Sequence, residues 1–421
     1  MMALIKGNTQ FRIFLGHSLF ASLGGGIFSM FMLLSMHMIY RNPLYTGITG
    51  FLMSVPFIFS FAVGPIVDRK NKVNIIRITT FIEIIVLAML IFIMVQGDLS
   101  VIYMFVLIFI YSVTVFFMSP AGNALIPHIV DEDKIMEANA SIQTVSYLGG
   151  LAIAFIIMTF MGDMFDFTYI FGLSGGFLVL SFVFTLFLKN PKNDTSEHQK
   201  TTYIMDLKEG VTFLRRNVLL YIVIIFVVMA VITQVSIINM PEFIEYHAGA
   251  RGYILVSVVG MIGGVIASTV VGIFGKHIKI GLLFLFLFVL AGIMRIVFVQ
   301  VIAQEFNVAL MIVVLFATFR SASGVVYRSL EQKIPPKDMV GRIDTLTTTV
   351  FAIFTALAAL IGGVAGRLVP QVDYIFIFQG ISLIVIGFVF MLVPGIRKLP
   401  RINDLSKESD DTTTDAAETA E

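Results

Sequence analysis

Twelve apolar stretches, each about the length a helix needs to cross a bilayer, dominate this chain of 421 residues. They fall near residues 13–39, 45–66, 74–95, 100–119, 138–161, 168–188, 218–240, 253–274, 281–303, 308–328, 344–366 and 374–393. A spanning helix takes roughly 20 apolar residues. Lipid offers the backbone no hydrogen-bond partner, so each run is expected to be helical. The ten-residue alternation of a membrane barrel is missing. With 58% hydrophobic and only 13% charged residues, the chain has too little charge to cover a water-facing surface, so lipid is its expected solvent. The first run is longer than the apolar core of a signal peptide and has no small-residue cleavage site, so it reads as the first span. The expected fold class is therefore an all-α membrane protein of twelve transmembrane helices.

Charge orients the runs. Of the 28 Lys and Arg, only Arg41, Arg251 and Arg367 fall on the side opposite the N-terminus, and Arg295 and Arg320 lie inside runs. The positive-inside rule then puts both termini in the cytoplasm of an inner (cytoplasmic) membrane. Trp is absent among 41 Phe, so Tyr40, Tyr45, Tyr103 and Tyr374 at span ends are expected to mark the interface. The longest polar stretch divides the chain six plus six. Residues 1–188 form the first six-helix bundle, 189–217 a cytoplasmic linker, 218–396 the second bundle and 397–421 a disordered tail. Apolar residues Ile204, Leu207, Val211 and Leu214 recur at helical spacing, which predicts an interfacial helix in the linker.

The two halves repeat one another. Span four runs into Ile126, Pro127 and a charged turn before Asn139, and span ten runs into Glu331, Pro335, Pro336 and a charged turn before Asp344. A duplicated six-span unit is the trace of an alternating-access transporter. After span two the chain reads Gly64-Pro-Ile-Val-Asp68-Arg69-Lys70-Asn-Lys72, which resembles the G-x-x-x-D-R-x-G-R-R loop of the major facilitator superfamily, with Asn71 where that pattern has glycine. The counterpart after span eight, Gly272 to Lys279, keeps the glycine and the basic charge but lacks the acid. Residues 120–139, the linker segment 207–214, and Glu331-Gln332 to Gly341-Arg342 look like the branch that contains macrolide efflux pumps and the enterobactin exporter. The resemblance covers nearly the whole chain and implies two pseudo-symmetric six-helix bundles, efflux, proton exchange and a monomer. Span five reads Tyr147-Leu-Gly149-Gly150 without the proline of the superfamily's antiporters, a departure from that pattern.

The resemblance gives Gly64, Asp68, Arg69 and Lys72 the role of a conformational latch. A carboxylate at one helix end can accept hydrogen bonds from the N-terminus of another while Arg69 reaches an acid; the plainer reading is a positive-inside turn. Ionisable groups inside a span default to functional candidates. In the superfamily, spans one, four, seven and ten line the central cavity. Arg320, near the middle of span ten, either meets an anionic group on the cargo or bonds structurally to carbonyls or a distant acid. Ser22 and Ser29 of span one, Tyr111 of span four, and Gln234 and Asn239 of span seven are the other cavity candidates, although small polar residues serve helix packing equally well. Glu83 in span three and His17 in span one are the candidates for proton coupling. Arg295 in span nine reads as paired or snorkelling.

Other chemistries find little support. No cysteine excludes disulfides, thiolate metal sites and a cysteine nucleophile. No nucleotide-binding loop is present. Gly172-Leu-Ser174-Gly-Gly176 matches a serine-hydrolase pattern but lacks a base with a supporting motif, and a packing face explains it better. No enzyme activity, cofactor, metal or nucleic-acid partner is expected; the partners are a small-molecule substrate, protons and the lipid bilayer. Export of a drug-like or siderophore-like molecule leads. A lysophospholipid flippase, a nutrient importer or a non-transporting sensor of the same fold are the alternatives.

Overall fold

The computed structural model describes residues 7–60, 63, 66–67, 70–97, 99–131, 134–135, 137–139, 141–142, 144–145, 149, 166–190, 203–274, 279–336, 339–397 and 399. Secondary structure among them is helical. Among the described residues nine helices are long and apolar enough to cross a membrane, and one of these, Leu219–Ala267, covers two expected spans. A shorter apolar helix at Pro43–Phe59 is span two. Most of the fifth expected span, 138–161, lies outside the described residues, as do much of the latch loop and the C-terminal tail.

Local chemistry fixes the helix ends. Span one, Thr9–Tyr40, starts where Asn8 accepts a hydrogen bond from the Phe11 N–H and stops at Arg41 in the left-handed region (φ 50°). Span two, Pro43–Ser54, has Asn42 as its cap and tightens into a 3-10 turn, Val55–Phe59, where Pro56 removes a donor. Span three, Lys72–Gln96, begins at Asn71, whose side chain accepts from the Asn74 N–H, so the residue that departs from the loop pattern serves as an N-cap. Span four, Val101–Ile129, runs ten residues beyond its expected end and through Pro120, because surrounding helices rather than water must satisfy its backbone. Span six is Phe167–Leu186, capped by Asp166, and Arg77 of span three caps its other end by donating to the Thr185, Leu186 and Leu188 carbonyls.

Spans seven and eight correct the sequence reading. A loop is expected over 241–252, but helix Leu219–Phe274 continues through Pro241 and turns at Gly249 alone (φ 69°, ψ 177°). Glycine has no Cβ to obstruct that conformation. The remaining spans are Ile280–Val301, Phe306–Lys333, Val340–Leu368 and Asp373–Leu392. The linker does form a helix, Tyr203–Arg216. Leu214 is buried, Gly210 faces Ile343 and Leu346, and Glu209 pairs with Arg342.

The chain divides into two compact units, residues 1–198 with 355–367, and residues 199–354 with 368–421. In the second unit Phe226, Phe284, Phe288, Phe390 and Tyr327 form one aromatic cluster, with Phe226 stacked 4.5 Å from Tyr327 and Phe284 4.6 Å from Phe390. Large apolar side chains such as Phe92 and Ile78 face outwards, as lipid permits and water does not.

Small residues let helices touch through their backbones. A Cβ at Gly292 of span nine would lie 2.5 Å from the Gly380 carbonyl oxygen of span twelve. One at Gly263 would lie 2.6 Å from the Val314 carbonyl, and one at Gly47 2.7 Å from Gly363. The spacing in the sequence points instead to Gly172 with Gly176, Gly260 with Gly264, and Gly362 with Gly366. Gly172 and Gly176 have nothing near them, and Gly260 and Gly264 meet only ordinary contacts at 3.9 and 3.7 Å. Ser174 is the residue of its segment that packs, fully buried and donating to the Gly24 carbonyl at 2.8 Å. Ser174→Ala is expected to cost about 0.6 kcal/mol, the average for an interhelical bond in lipid, read as a small fall in melting temperature with transport unchanged.

Candidate functional site

Glu83 is the acid that span three carries into the interior. The helix turns Ile78, Phe81 and Ile85 outwards and Thr80, Glu83 and Leu87 inwards, so a helix at the edge of the expected arrangement still presents a carboxyl to its neighbours. Glu83 is 1% exposed. Its Oε1 lies 3.2 Å from Thr114 Oγ1 of span four, and its Oε2 is buried with no hydrogen-bond partner. Thr114 Oγ1 also lies 2.5 Å from the Tyr111 carbonyl, one turn back.

Tyr111 joins this group to span one. Its ring stacks on Phe28 at 3.7 Å, and the nearest atom to a Cβ on Gly25 would be its hydroxyl, at 3.5 Å. Glu83, Thr114, Tyr111 and Phe28 thus form a continuous chain of contacts from span three through span four to span one. Every member except Glu83 is on a helix that the resemblance assigns to the cavity.

The other candidates are placed as follows. His17 is buried at the seam of spans one and six, with Nδ1 2.7 Å from Ser181 Oγ. Ser22 is half-buried and Ser29 exposed. On span seven Gln234 is half-buried, while Asn239 is buried and donates to the Val235 carbonyl of its own helix. Arg320 is half-buried and its Nε is buried without an acceptor. Gly64, Asp68 and Arg69 lie outside the described residues, and Lys72 is the first residue of span three. Among the described residues no cluster of His, Asp and Glu could hold a metal ion.

Arg295 takes the paired alternative and does not snorkel to the interface. It is 3% exposed, and its Nε donates to Gln379 Oε1 at 2.7 Å. Two further features, Glu242 and Glu331, escape a reading of the sequence. Glu242 belongs to span seven, since the helix outruns its expected end, and one of its carboxylate oxygens is buried without a partner. Glu331 is buried at the end of span ten, where it accepts from the Tyr327 hydroxyl at 3.0 Å, from Arg328 at 3.1 Å and from Thr347 of span eleven. Arg328 also reaches Asp344 at 2.8 Å. The signal for Glu331 was an acid three residues after an arginine at the end of an apolar run.

The comparisons bear on what such a molecule is. The family model for the Major Facilitator Superfamily matches residues 18–359. Macrolide efflux protein A of Streptococcus pyogenes is 24% identical over 370 residues, covering 84% of this chain and 87% of that protein. The protein of the same name from Enterococcus faecalis is 24% identical over 326 residues, covering 74% and 96%. The crystal structure of the nucleoside transporter NupG aligns with a TM-score of 0.73 at 12% identity, over 93% of this chain and 99% of that one. The D-xylose–proton symporter aligns with a TM-score of 0.67 at 13% identity, over 92% and 98%. Ser174 is locked into a helix seam by its bond to the Gly24 carbonyl, and the family whose model matches is one of transporters, not enzymes. With twelve apolar runs, helical wherever they are described, and a family model covering most of its length, the chain belongs to the major facilitator superfamily.

Proposed function

We propose that this protein is a proton-coupled exporter of bulky, drug-like organic molecules, with Glu83 as the group that carries the proton. It works by alternating access in the cytoplasmic membrane, as a monomer with both termini in the cytoplasm. The observation that carries the reading is the Glu83–Thr114 contact. Thr114 has a single hydroxyl proton. When that proton goes to the Tyr111 carbonyl, the contact with Glu83 needs a proton from the carboxyl. When Glu83 is ionised, the Thr114 hydroxyl must turn and donate to it instead. Loading and unloading the carboxyl therefore switches a hydrogen bond at the Tyr111 turn of span four. The efflux relatives support export, and the aromatic and aliphatic surroundings suit a large apolar cargo.

Arg320 favours a second cargo class. A guanidinium with a buried, unsatisfied Nε is suited to a carboxylate-bearing, siderophore-like molecule and repels a cationic drug. Inside-out vesicles test both readings. Erythromycin or a polycarboxylate siderophore should accumulate when a proton gradient is imposed, and a protonophore should abolish the accumulation. Arg320→Ala should lower carboxylate transport about tenfold or more, the loss of one charge-assisted contact, and leave macrolide transport in place. Accumulation that survives the protonophore sinks coupling. Flux in the opposite direction makes the protein an importer, lysophospholipid movement a flippase, and no flux at all a sensor.

A further inference from the structure

We propose that Arg295 and Arg320 together form a binding site for an organic carboxylate in the second unit, beside span ten. The site reaches beyond the set of cavity spans, because Arg320 belongs to span ten but Arg295 belongs to span nine. It rests on the reading of Arg320 as a cargo contact and extends it.

The Arg295 guanidinium carbon lies 4.6 Å from the Phe376 ring centroid, 4.8 Å from Phe316 and 5.6 Å from Phe298. Aromatic rings take the faces of the cation, and Gln379 takes Nε from the edge. The donors on its two terminal nitrogens have no acceptor among the described residues. Phe316 ties this cation to the other one. Arg320 follows it by one helical turn, so the two side chains share a face of span ten. Neither guanidinium makes an ion pair with a carboxylate among the described residues, and the Arg320 Nε is itself an orphaned buried donor.

Arg295 lies against Phe316, and Arg320 lies one helical turn further along the same helix; cations brought this close in a low-dielectric interior repel each other unless an anion lies between them. A buried cation leaves donors open at a cost, which a bound acceptor relieves. The guanidinium fork matches a planar, two-oxygen anion, and the phenyl rings suit an apolar body behind it. A carboxylate on a hydrophobic molecule meets both conditions. Chloride meets only the charge.

The test uses the full chain in detergent, with thermal unfolding as the readout. Benzoate and phenylacetate should raise the midpoint in a saturable way, whereas sodium chloride and inorganic phosphate at matched ionic strength should not. Arg295→Gln and Arg320→Gln should each raise the half-saturating concentration about tenfold or more. Should Arg295→Gln fail to fold, Gln379→Glu serves in its place. It supplies an internal carboxylate to Arg295 and should abolish the protection by benzoate while keeping the fold. Unchanged half-saturation in Arg295→Gln, full protection in Gln379→Glu, or equal protection by chloride would each overturn the site. Protection without flux in vesicles removes the transport reading and leaves this site standing. Carboxylate flux without protection does the reverse.

Discussion

In inside-out vesicles, the Glu83→Gln protein is expected to equilibrate its cargo and no longer concentrate it. A membrane potential of 100 mV acting on one proton is worth about 2.3 kcal/mol, which corresponds to roughly 50-fold accumulation. Loss of the carried proton collapses that ratio to about one. The variant is chosen because it retains the shape of the buried side chain and can still accept from Thr114, so the fold and the Tyr111–Phe28 stack stay in place. Exchange of labelled for unlabelled cargo, which moves no net proton, should continue. Glu83→Ala is the less informative variant. It opens a cavity beside Thr114 and is expected to cost about 2–3 kcal/mol of stability, which confuses folding with coupling. Gradient-driven accumulation at the wild-type level in Glu83→Gln would assign the proton to another group.

Gly292→Leu is expected to prevent the second unit from assembling. The contact of spans nine and twelve is reciprocal. A Cβ at Gly292 would lie 2.5 Å from the Gly380 oxygen and 2.6 Å from Ile384, and one at Gly380 would lie 2.6 Å from Ile296 and 2.9 Å from the Gly292 oxygen. The side chain of Ile384 can turn aside, but the Gly380 backbone can move only with its helix. Overpacking of this kind costs about 3 kcal/mol or more. The seam lies one turn from Arg295 and its Gln379 bond, so separating the helices also breaks that contact. Yield of monodisperse protein on size exclusion is the measurement. Gly260→Leu is the control, because a Cβ there meets only Val313 at 3.9 Å. Equal yields from the two variants would show that the seam tolerates separation.

The helices were largely legible in the sequence and their faces were not, for one physical reason. A helix in water carries an apolar stripe that marks its buried side. A helix in lipid is apolar all round, so length and composition announce the span while nothing announces its rotation. Glu83 could be recognised as costly, but not as facing Thr114. The glycine pairs at 260 with 264 and 362 with 366 lie in the right segments, whereas the close approaches belong to Gly263 and Gly363. Gln379 has no unusual sequence context and becomes notable only when Arg295 is seen against it. Spans four and seven run past their expected ends at 119 and 240. Pro120 and Pro241 both lie within continuous helix, since inside a membrane leaving the helix costs more than bending it.

Two of the joints between neighbouring spans are very short. Only Arg41 and Asn42 separate span one from span two, and Gly249 alone marks the break between span seven and span eight. The three Cα–Cα steps from Tyr40 to Pro43 reach at most about 11 Å, little more than the 8–10 Å that typically separates packed helix axes. Such a tie leaves little slack for one rod to advance past its neighbour by a helical pitch of about 5.4 Å. Any large movement within these pairs must therefore resemble the opening of scissors about a fixed rivet, with the greatest displacement at the ends away from the joint.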